Sequence, residues 1–205
     1  PTRFDEEGVK EVNRKFLGTL KNVYSFFSSY ANIDGFDPKI HRTPYENRAE
    51  IDHWILSRLN SLIKDVSEYM EKYELTRVTR RIESFVIDEV SNWYVRRSRR
   101  RYWAMELDSD KKSAYATLWE LLTAVCRLMA PFAPFISDEL FVRLTGEESV
   151  HLQDFPQADE SRILPELEAE MEMVMNIVYL GRAARNRVNI KVRQPLQTLY
   201  LPKKA

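Results

Sequence analysis

The chain has 205 residues, of which 44% are hydrophobic and 30% charged, and its 31 cationic side chains balance its 31 anionic ones. This composition is typical of a globular protein, and the length suffices for one generous domain or two small ones. The single Cys126 excludes an internal disulfide, and the presence of only three histidines argues against a zinc site. No apolar run could span a bilayer and no secretory signal opens the chain, so we expect no membrane contact. The single cysteine favours a reducing, cytoplasmic setting. We also expect a monomer.

The balanced total hides a strong segregation of charge along the sequence. Residues 76–101 carry eight arginines against three acids, a net charge of +5, and residues 177–193 carry five cations and no acid. Residues 132–172 carry eleven acids against two arginines, a net charge of −9. A polyanion responds to the local potential, so overall neutrality does not exclude nucleic acid as a partner.

Apolar residues recur at three- and four-residue steps through the first half of the chain, which predicts amphipathic helices. The first helix covers about residues 9–30, and a loop follows at 32–38, where Asp-Gly and Asp-Pro break the pattern. The second and third helices cover about residues 46–69 and 76–93.

The second half of the chain continues this pattern. A fourth helix, capped by Asp108 or Ser109, ends at Met129 before a proline. A fifth helix covers Pro134–Leu144, and a loop at 145–159 contains a short extended piece, Val150–Leu152. A sixth helix covers about residues 160–188, and the segment Leu196–Leu201 alternates like a strand. A lone strand is not stable. The predicted fold class is therefore all-α, a helical bundle with a short extended segment at the C-terminus.

A search for catalytic chemistry finds no recognised constellation. The sequence has no Gly-rich phosphate loop, no His-Glu-x-x-His pair and no Gly-x-Ser-x-Gly elbow. His53 falls on the polar side of the second helix, which favours a surface histidine, and Cys126 lies among apolar residues, which favours a buried small hydrophobe. We therefore predict no catalytic residue, no metal site and no cofactor in this chain.

The most unusual stretch covers residues 91–103 and places five arginines within six residues, between two aromatic pairs. Guanidinium groups fit phosphate oxygens and stack on bases, and aromatic rings offer stacking surfaces. On an α-helical wheel, Arg97, Arg100 and Arg101 fall on the same side as the apolar stripe of this helix. Burial of unpaired arginines is costly, so the helix must leave the core after about Tyr94, bend, or meet acidic partners there.

From the residues alone, three explanations of this basic stretch remain open. It contacts RNA, it docks an acidic protein partner, or it braces the acidic region 132–172 of the same chain. We expect Trp93 and Tyr94 to be core residues because the apolar stripe runs into them. The basic residues near the end of the chain form a second candidate surface.

Four segments also carry a family resemblance. Segment 91–103, Ser-Asn-Trp-Tyr-Val-Arg-Arg-Ser-Arg-Arg-Arg-Tyr-Trp, resembles the signature helix of the anticodon-binding domain of isoleucyl-tRNA synthetase. Segment 128–140, Leu-Met-Ala-Pro-Phe-Ala-Pro-Phe-Ile-Ser-Asp-Glu-Leu, matches a helix–proline–helix element shared by the isoleucyl, valyl and leucyl enzymes. Segments 149–152 and 189–196 resemble the piece after it and the element leading into the C-terminal region. The first and last of these segments point to isoleucine.

The resemblance implies a helical bundle of the class I synthetase anticodon-binding type over residues 1–188, followed by the start of a C-terminal junction region at 189–205. For the parent enzyme it implies ATP-dependent attachment of isoleucine to its tRNA, with this bundle holding the anticodon stem and loop. The ATP-binding signatures of the catalytic core are absent from the sequence. The chain alone is therefore expected not to be an enzyme, and ATP and Mg²⁺ belong to the parent's catalytic domain. The alternatives are the corresponding domain of a valyl or leucyl enzyme, or a helical protein-interaction module with a basic face.

The partners implied are isoleucine tRNA and the catalytic and C-terminal domains of the same polypeptide. Cationic side chains contact phosphates, and aromatic rings stack on unpaired bases. The residues that we expect to contact RNA are Arg96, Arg97, Arg99, Arg100 and Arg101, then Lys191 and Arg193, with Tyr102 and Trp103 as stacking partners.

Overall fold

The computed structural model describes residues 5–201, which contain helices and turns but no strand. The predicted all-α fold class is confirmed. The chain divides into two units, a larger one that ends at Leu164 and a smaller one that begins at Pro165. The predicted domain boundary after residue 188 stays a prediction.

The first helical segment of the larger unit extends from Glu6 to Asp34. Helix α1 (Glu6–Val12) begins after Asp5, whose carboxylate accepts a hydrogen bond from the Glu7 backbone N–H. It passes through a π-helical turn (Asn13–Leu17) into α2 (Gly18–Asp34). Gly35 ends α2 because its φ of 62° requires the left-handed region, which glycine adopts without strain.

Two long helical segments form much of the core: they pack against each other, and the second also packs against α2. Helix α3 (Glu50–Glu71) is the predicted second helix. Helix α4 (Leu75–Ser84), a π-helical stretch (Phe85–Val95) and helix α5 (Arg96–Tyr102) follow one another without a break. The expected core residues Trp93 and Tyr94 are confirmed, since they are 8% and 0% exposed.

The remaining helices of the larger unit are an antiparallel pair. Helix α6 (Ser109–Met129) begins after Asp108, whose carboxylate accepts a hydrogen bond from the Lys111 backbone N–H. Helix α7 (Pro134–Thr145) has a proline in its first turn, as predicted, and ends at Gly146.

The segment after α7 differs from the predicted extended piece. Val150–Leu152 forms a turn of 3₁₀ helix, because Ser149 caps it by accepting the His151 backbone N–H. The chain then returns to α3, where the backbone N–H groups of Asp159 and Leu164 donate to Asn60 Oδ1 and Ser57 Oγ, each at 2.8 Å.

The smaller unit consists of one long helix and an irregular segment. Helix α8 (Pro165–Arg187) starts later than predicted, because residues 160–162 form a separate 3₁₀ turn. Residues 196–201 form no strand, since no second strand exists among residues 5–201 to pair with them. The end of the predicted junction region, residues 202–205, and residues 1–4 at the other end lie outside the described residues. Within the described part of the chain, no helix is long and apolar enough to cross a membrane.

Candidate nucleic-acid interface

The register of the segment from α4 to α5 decides which arginines face outward. One series of its buried positions recurs every four residues: Val78, Ile82, Val86, Val90, Tyr94, Ser98 and Tyr102. In a regular α-helix of 3.6 residues per turn, such a series would drift around the axis. The π-helical stretch 85–95 takes more residues per turn and cancels this drift. The helix therefore stays on the core without burying Arg97 or Arg100, which the α-helical wheel had placed there.

One face of the α5 segment is strongly basic and solvent-exposed. Arg96, Arg99, Arg100 and Trp103, at steps of three, four and seven residues, lie side by side and are all exposed; we call them the α5 face. Within the described residues, none of its three arginines forms an ion pair or hydrogen bond through its side chain. Like charges at this spacing repel one another by about 0.2–0.5 kcal/mol per pair. The α5 face is therefore a surface that an anion would stabilise.

Trp103 is held in place at the end of the α5 face. Its side chain is 56% exposed, and its indole N–H donates to the Tyr30 hydroxyl at 2.9 Å. The next residue, Ala104, is fixed through its carbonyl, which accepts from the buried Lys111 ammonium at 2.7 Å. That ammonium also pairs with Asp34 at 2.6 Å. An exposed indole whose N–H is held by a hydrogen bond is a suitable surface for a stacked base.

Arg97 lies beside the α5 face and is also exposed. Its guanidinium carbon is 5.3 Å from the centroid of the Trp93 ring, within the range of a cation–π interaction. Its charge is not neutralised by a carboxylate among the described residues.

Arg101 has a structural role that the sequence alone did not assign to any one arginine. Its two terminal nitrogens bind the two carboxylate oxygens of Asp52 at 2.7 Å each, and it also pairs with Asp110 at 2.8 Å. Asp52 is completely buried, and the Tyr94 hydroxyl donates to it at 2.6 Å. Burial disfavours the charge of Arg101, but the hydrogen bonds and charge interactions with Asp52, Tyr94 and Asp110 together outweigh it, so its pKa lies above the ordinary value. Arg101 thus meets acidic partners, one of the outcomes that the wheel allowed, and its guanidinium is not available for a phosphate contact.

Tyr102 is part of the core. It is 1% exposed, its hydroxyl donates to the Ala114 carbonyl at 2.9 Å, and its ring contacts Tyr115 edge-on at 5.0 Å between centroids. No face of this ring is available to a base, so Tyr102 cannot be the stacking partner that we expected. Trp103 remains the aromatic candidate.

The basic stretch does not brace the acidic region within the larger unit. Among the described residues, the acids of that region pair locally or with α3: Glu139 with Arg143, Asp159 with Arg162, and Glu160 with Lys64. None of these ion pairs reaches the α5 face. The intramolecular explanation is therefore not supported for residues 132–164.

Lys191 and Arg193 belong to the smaller unit and are exposed. The backbone there is held by Arg185, whose guanidinium donates to the carbonyls of Lys191 and Gln194 at 3.0 and 2.7 Å. The side chains of Lys191 and Arg193 form no ion pair within residues 5–201. Both stay predicted RNA contacts.

The described residues contain no group of histidine, cysteine and acidic side chains that could hold a metal ion. His53 is not a free surface histidine. It is half-buried, its ring stacks on Tyr45 at 4.5 Å between centroids, and its Nε2 lies 2.8 Å from the Tyr45 carbonyl oxygen.

Cys126 is buried, as predicted, and burial raises the pKa of its thiol to about 12. Because the thiolate is the reactive form, we expect the folded protein to resist iodoacetamide at pH 8 and the urea-unfolded protein to react fully. Mass spectrometry after timed labelling would measure this difference. Equal rates in both states would contradict the buried position.

Comparison of the sequence with known proteins identifies the family to which this helical chain belongs. The family described as "Anticodon-binding domain of tRNA ligase" matches residues 52–200. The chain is 52% identical over 201 residues to the isoleucine–tRNA ligase of Porphyromonas gingivalis, and 50% identical to those of Bacteroides thetaiotaomicron and Clostridium tetani. Each alignment covers 98% of this chain but only 18–20% of the relative, so the chain spans about a fifth of their length. By the match over residues 52–200, the chain belongs to the family of anticodon-binding domains of tRNA ligases, as the resemblance in its sequence predicted.

Proposed function

We propose that this chain binds the anticodon stem and loop of isoleucine tRNA as one part of a longer isoleucine–tRNA ligase. The observation that carries the proposal is the α5 face, on which three arginines without acidic partners adjoin an exposed tryptophan. The names of the relatives support isoleucine over valine or leucine.

The α5 face has the chemistry that RNA recognition requires. Guanidinium groups donate paired hydrogen bonds to phosphate oxygens, and such contacts set the position and register of a nucleic acid. RNA loops expose unstacked bases, and these stack on aromatic side chains. The three arginines are neighbours on one face of the helix, where they can contact successive phosphates of a stem. Trp103 lies at the end of this face, where its ring can stack on the first base that leaves the stem.

In this proposal the chain itself carries out no chemistry. ATP-dependent attachment of isoleucine, with ATP and Mg²⁺, takes place in a catalytic domain elsewhere in the parent polypeptide. This chain contributes binding energy and orientation, so that the far end of the tRNA reaches that domain.

Titration of the 205-residue chain with isoleucine tRNA and with an unrelated tRNA, each at several salt concentrations, tests the proposal. We expect binding that weakens steeply with salt, because cations that contact phosphates release counterions, and a preference for isoleucine tRNA. Absence of binding to either tRNA at low salt would overturn the proposal. Equally tight binding to polyglutamate would instead favour an acidic protein partner.

Replacement of Trp103 by alanine tests its stacking role. Stacking of a base on an aromatic ring contributes about 1–3 kcal/mol, so Trp103→Ala should weaken tRNA binding by roughly 5- to 100-fold. Trp103→Phe keeps an aromatic face and loses the hydrogen bond to Tyr30, so it should recover most of the affinity. If the phenylalanine variant binds as weakly as the alanine variant, stacking is not the role of Trp103.

A further inference from the structure

Apolar side chains are exposed at the end of the larger unit where α6 turns into α7. Phe135 is 90% exposed, Leu152 67% and Phe155 38%. Pro131, four residues before Phe135, lines a groove of about 510 Å³ together with Phe155 and with Met70 near the end of α3. We call Pro131, Phe135, Leu152 and Phe155 the distal face. The proposed function does not use these side chains.

The turn that carries Leu152 is held against α7, close to Phe135. Asp138 Oδ1 accepts the Ser149 hydroxyl at 2.7 Å and the Val150 backbone N–H at 2.9 Å. Residues three apart on a helix are neighbours on its surface, so Asp138 adjoins Phe135. Phe135 and Leu152 therefore belong to one continuous surface.

The distal face and Trp103 lie at opposite ends of the larger unit. Trp103 adjoins the beginning of α6, because the Lys111 ammonium of that helix binds the carbonyl of the next residue, Ala104, at 2.7 Å. The distal face follows the other end of α6, where the Phe132 backbone N–H donates to the Met129 carbonyl at 2.9 Å. Helix α6 has 21 residues and is therefore about 30 Å long. An RNA loop held at Trp103 thus lies far from the distal face.

Negative charge surrounds the distal face. Seven acidic side chains lie between residues 131 and 160, against one arginine. Three of them pair with cations, and four form no ion pair among the described residues: Asp138, Glu147, Glu148 and Asp154. Arg127 reaches this region from α6 but donates to the backbone carbonyl of Asp154, at 3.1 Å. The rim of the distal face is therefore acidic.

Such a surface fits a protein partner and not RNA. Adjoining exposed apolar side chains mark sites of protein contact, and an acidic rim repels phosphates but attracts a cationic surface. The relatives are about five times as long as this chain. In the proposed function the bundle holds tRNA in a fixed orientation toward a catalytic domain, which requires a firm contact with the rest of the polypeptide.

We propose that the distal face docks on another part of the parent ligase, through a surface whose apolar side chains are ringed by lysines and arginines. Phe135 inserts into that surface, and the groove beside Phe155 receives one of its apolar side chains. The inference rests on the proposed function in one respect, because it requires that this chain is one part of a longer ligase.

Photocrosslinking in the full-length ligase tests the docking. With p-benzoylphenylalanine in place of Phe135, irradiation should join position 135 to a peptide of the same polypeptide that lies outside these 205 residues and carries lysine or arginine. The same photoreactive group in place of Ile33 is the control, because Ile33 is 78% exposed and lies near the end of α2, beside Trp103 and Tyr30. We expect at least a 10-fold lower yield of such crosslinks from position 33.

Several results would overturn the docking. They are equal yields from the two positions, no crosslink from position 135, or a crosslink from it only to residues within these 205, to a second ligase molecule or to bound tRNA. The tRNA titration of the 205-residue chain fails or succeeds separately. A chain that binds no tRNA, in a ligase that still crosslinks from position 135, would remove the RNA role and leave the docking in place.

Reversal of charge at the rim tests the cationic nature of the partner surface. Glu148→Lys/Asp154→Lys, introduced into the ligase with the photoreactive group at position 135, should lower the crosslink yield roughly 5-fold at low salt. Glu46→Lys/Glu106→Lys reverses the same charge at two other exposed acids and should leave the yield unchanged. An unchanged urea midpoint of the chain would show that the rim variant is folded. Equal yields from the two charge variants would overturn the cationic partner.

Discussion

Asp52→Asn is expected to lower the free energy of unfolding of the larger unit by about 3 kcal/mol, because it leaves Arg101 without its fully buried partner. The asparagine keeps the size of the side chain, so the loss reports charge and hydrogen bonding and not a cavity. Urea unfolding followed by tryptophan fluorescence would measure it. All four tryptophans, at positions 54, 93, 103 and 119, lie before residue 165, so the signal comes from the larger unit.

Asp110→Asn is the matched control for this experiment. Asp110 pairs with the same arginine, but its side chain is 53% exposed, so water replaces the lost contact. We expect a cost below about 1 kcal/mol. Equal costs for the two variants would mean that the buried pair does not anchor α5.

Simultaneous replacement of Arg96, Arg99 and Arg100 by alanine is expected to weaken isoleucine tRNA binding by roughly 100-fold at moderate salt. Each lost phosphate contact also removes a share of counterion release, so the slope of log K against log salt should become shallower by about 2. Filter binding over a salt series measures both quantities. The urea midpoint should not fall, because the three side chains are exposed and lie close to one another with like charge.

A second triple variant separates local contacts from the loss of net charge. Arg14, Lys72 and Arg143 are exposed cations on other parts of the larger unit, and their replacement by alanine removes the same charge. We expect at most a few-fold change in affinity and a nearly unchanged salt slope. If this variant loses as much affinity as the first, long-range attraction and not the α5 face accounts for tRNA binding.

Much of the fold followed from local sequence, since each long helix has its own apolar stripe and stop signals. The end of α6 near Met129 before Pro131 and the opening of α7 at Pro134 are examples of such signals. The start of α8 was misplaced because residues 160–162 form a 3₁₀ turn held to α3, and that contact joins residues about a hundred positions apart. Periodicity carries no information about such a contact.

The candidate site was predictable as a stretch but not residue by residue. Composition alone located the arginines of α5, yet Arg101 differs from its neighbours only because Asp52, far away in sequence, faces it. Tyr102 was misjudged for the same reason, since α6 covers its ring. The one local signal that the wheel missed is the four-residue repeat from Val78 to Tyr102, which 3.6-residue periodicity does not describe.

The π-helical stretch 85–95 has a consequence for how this surface can change. It sets the angular phase at which α5 emerges from the core, and it contains none of the arginines. A deletion of one uncharged residue there would turn the arginines toward other neighbours without removing a charge, whereas substitutions in α5 change charge without changing direction. The charge of the basic surface and the direction in which it faces are therefore determined by separate, adjacent segments of the sequence, and each can change without the other.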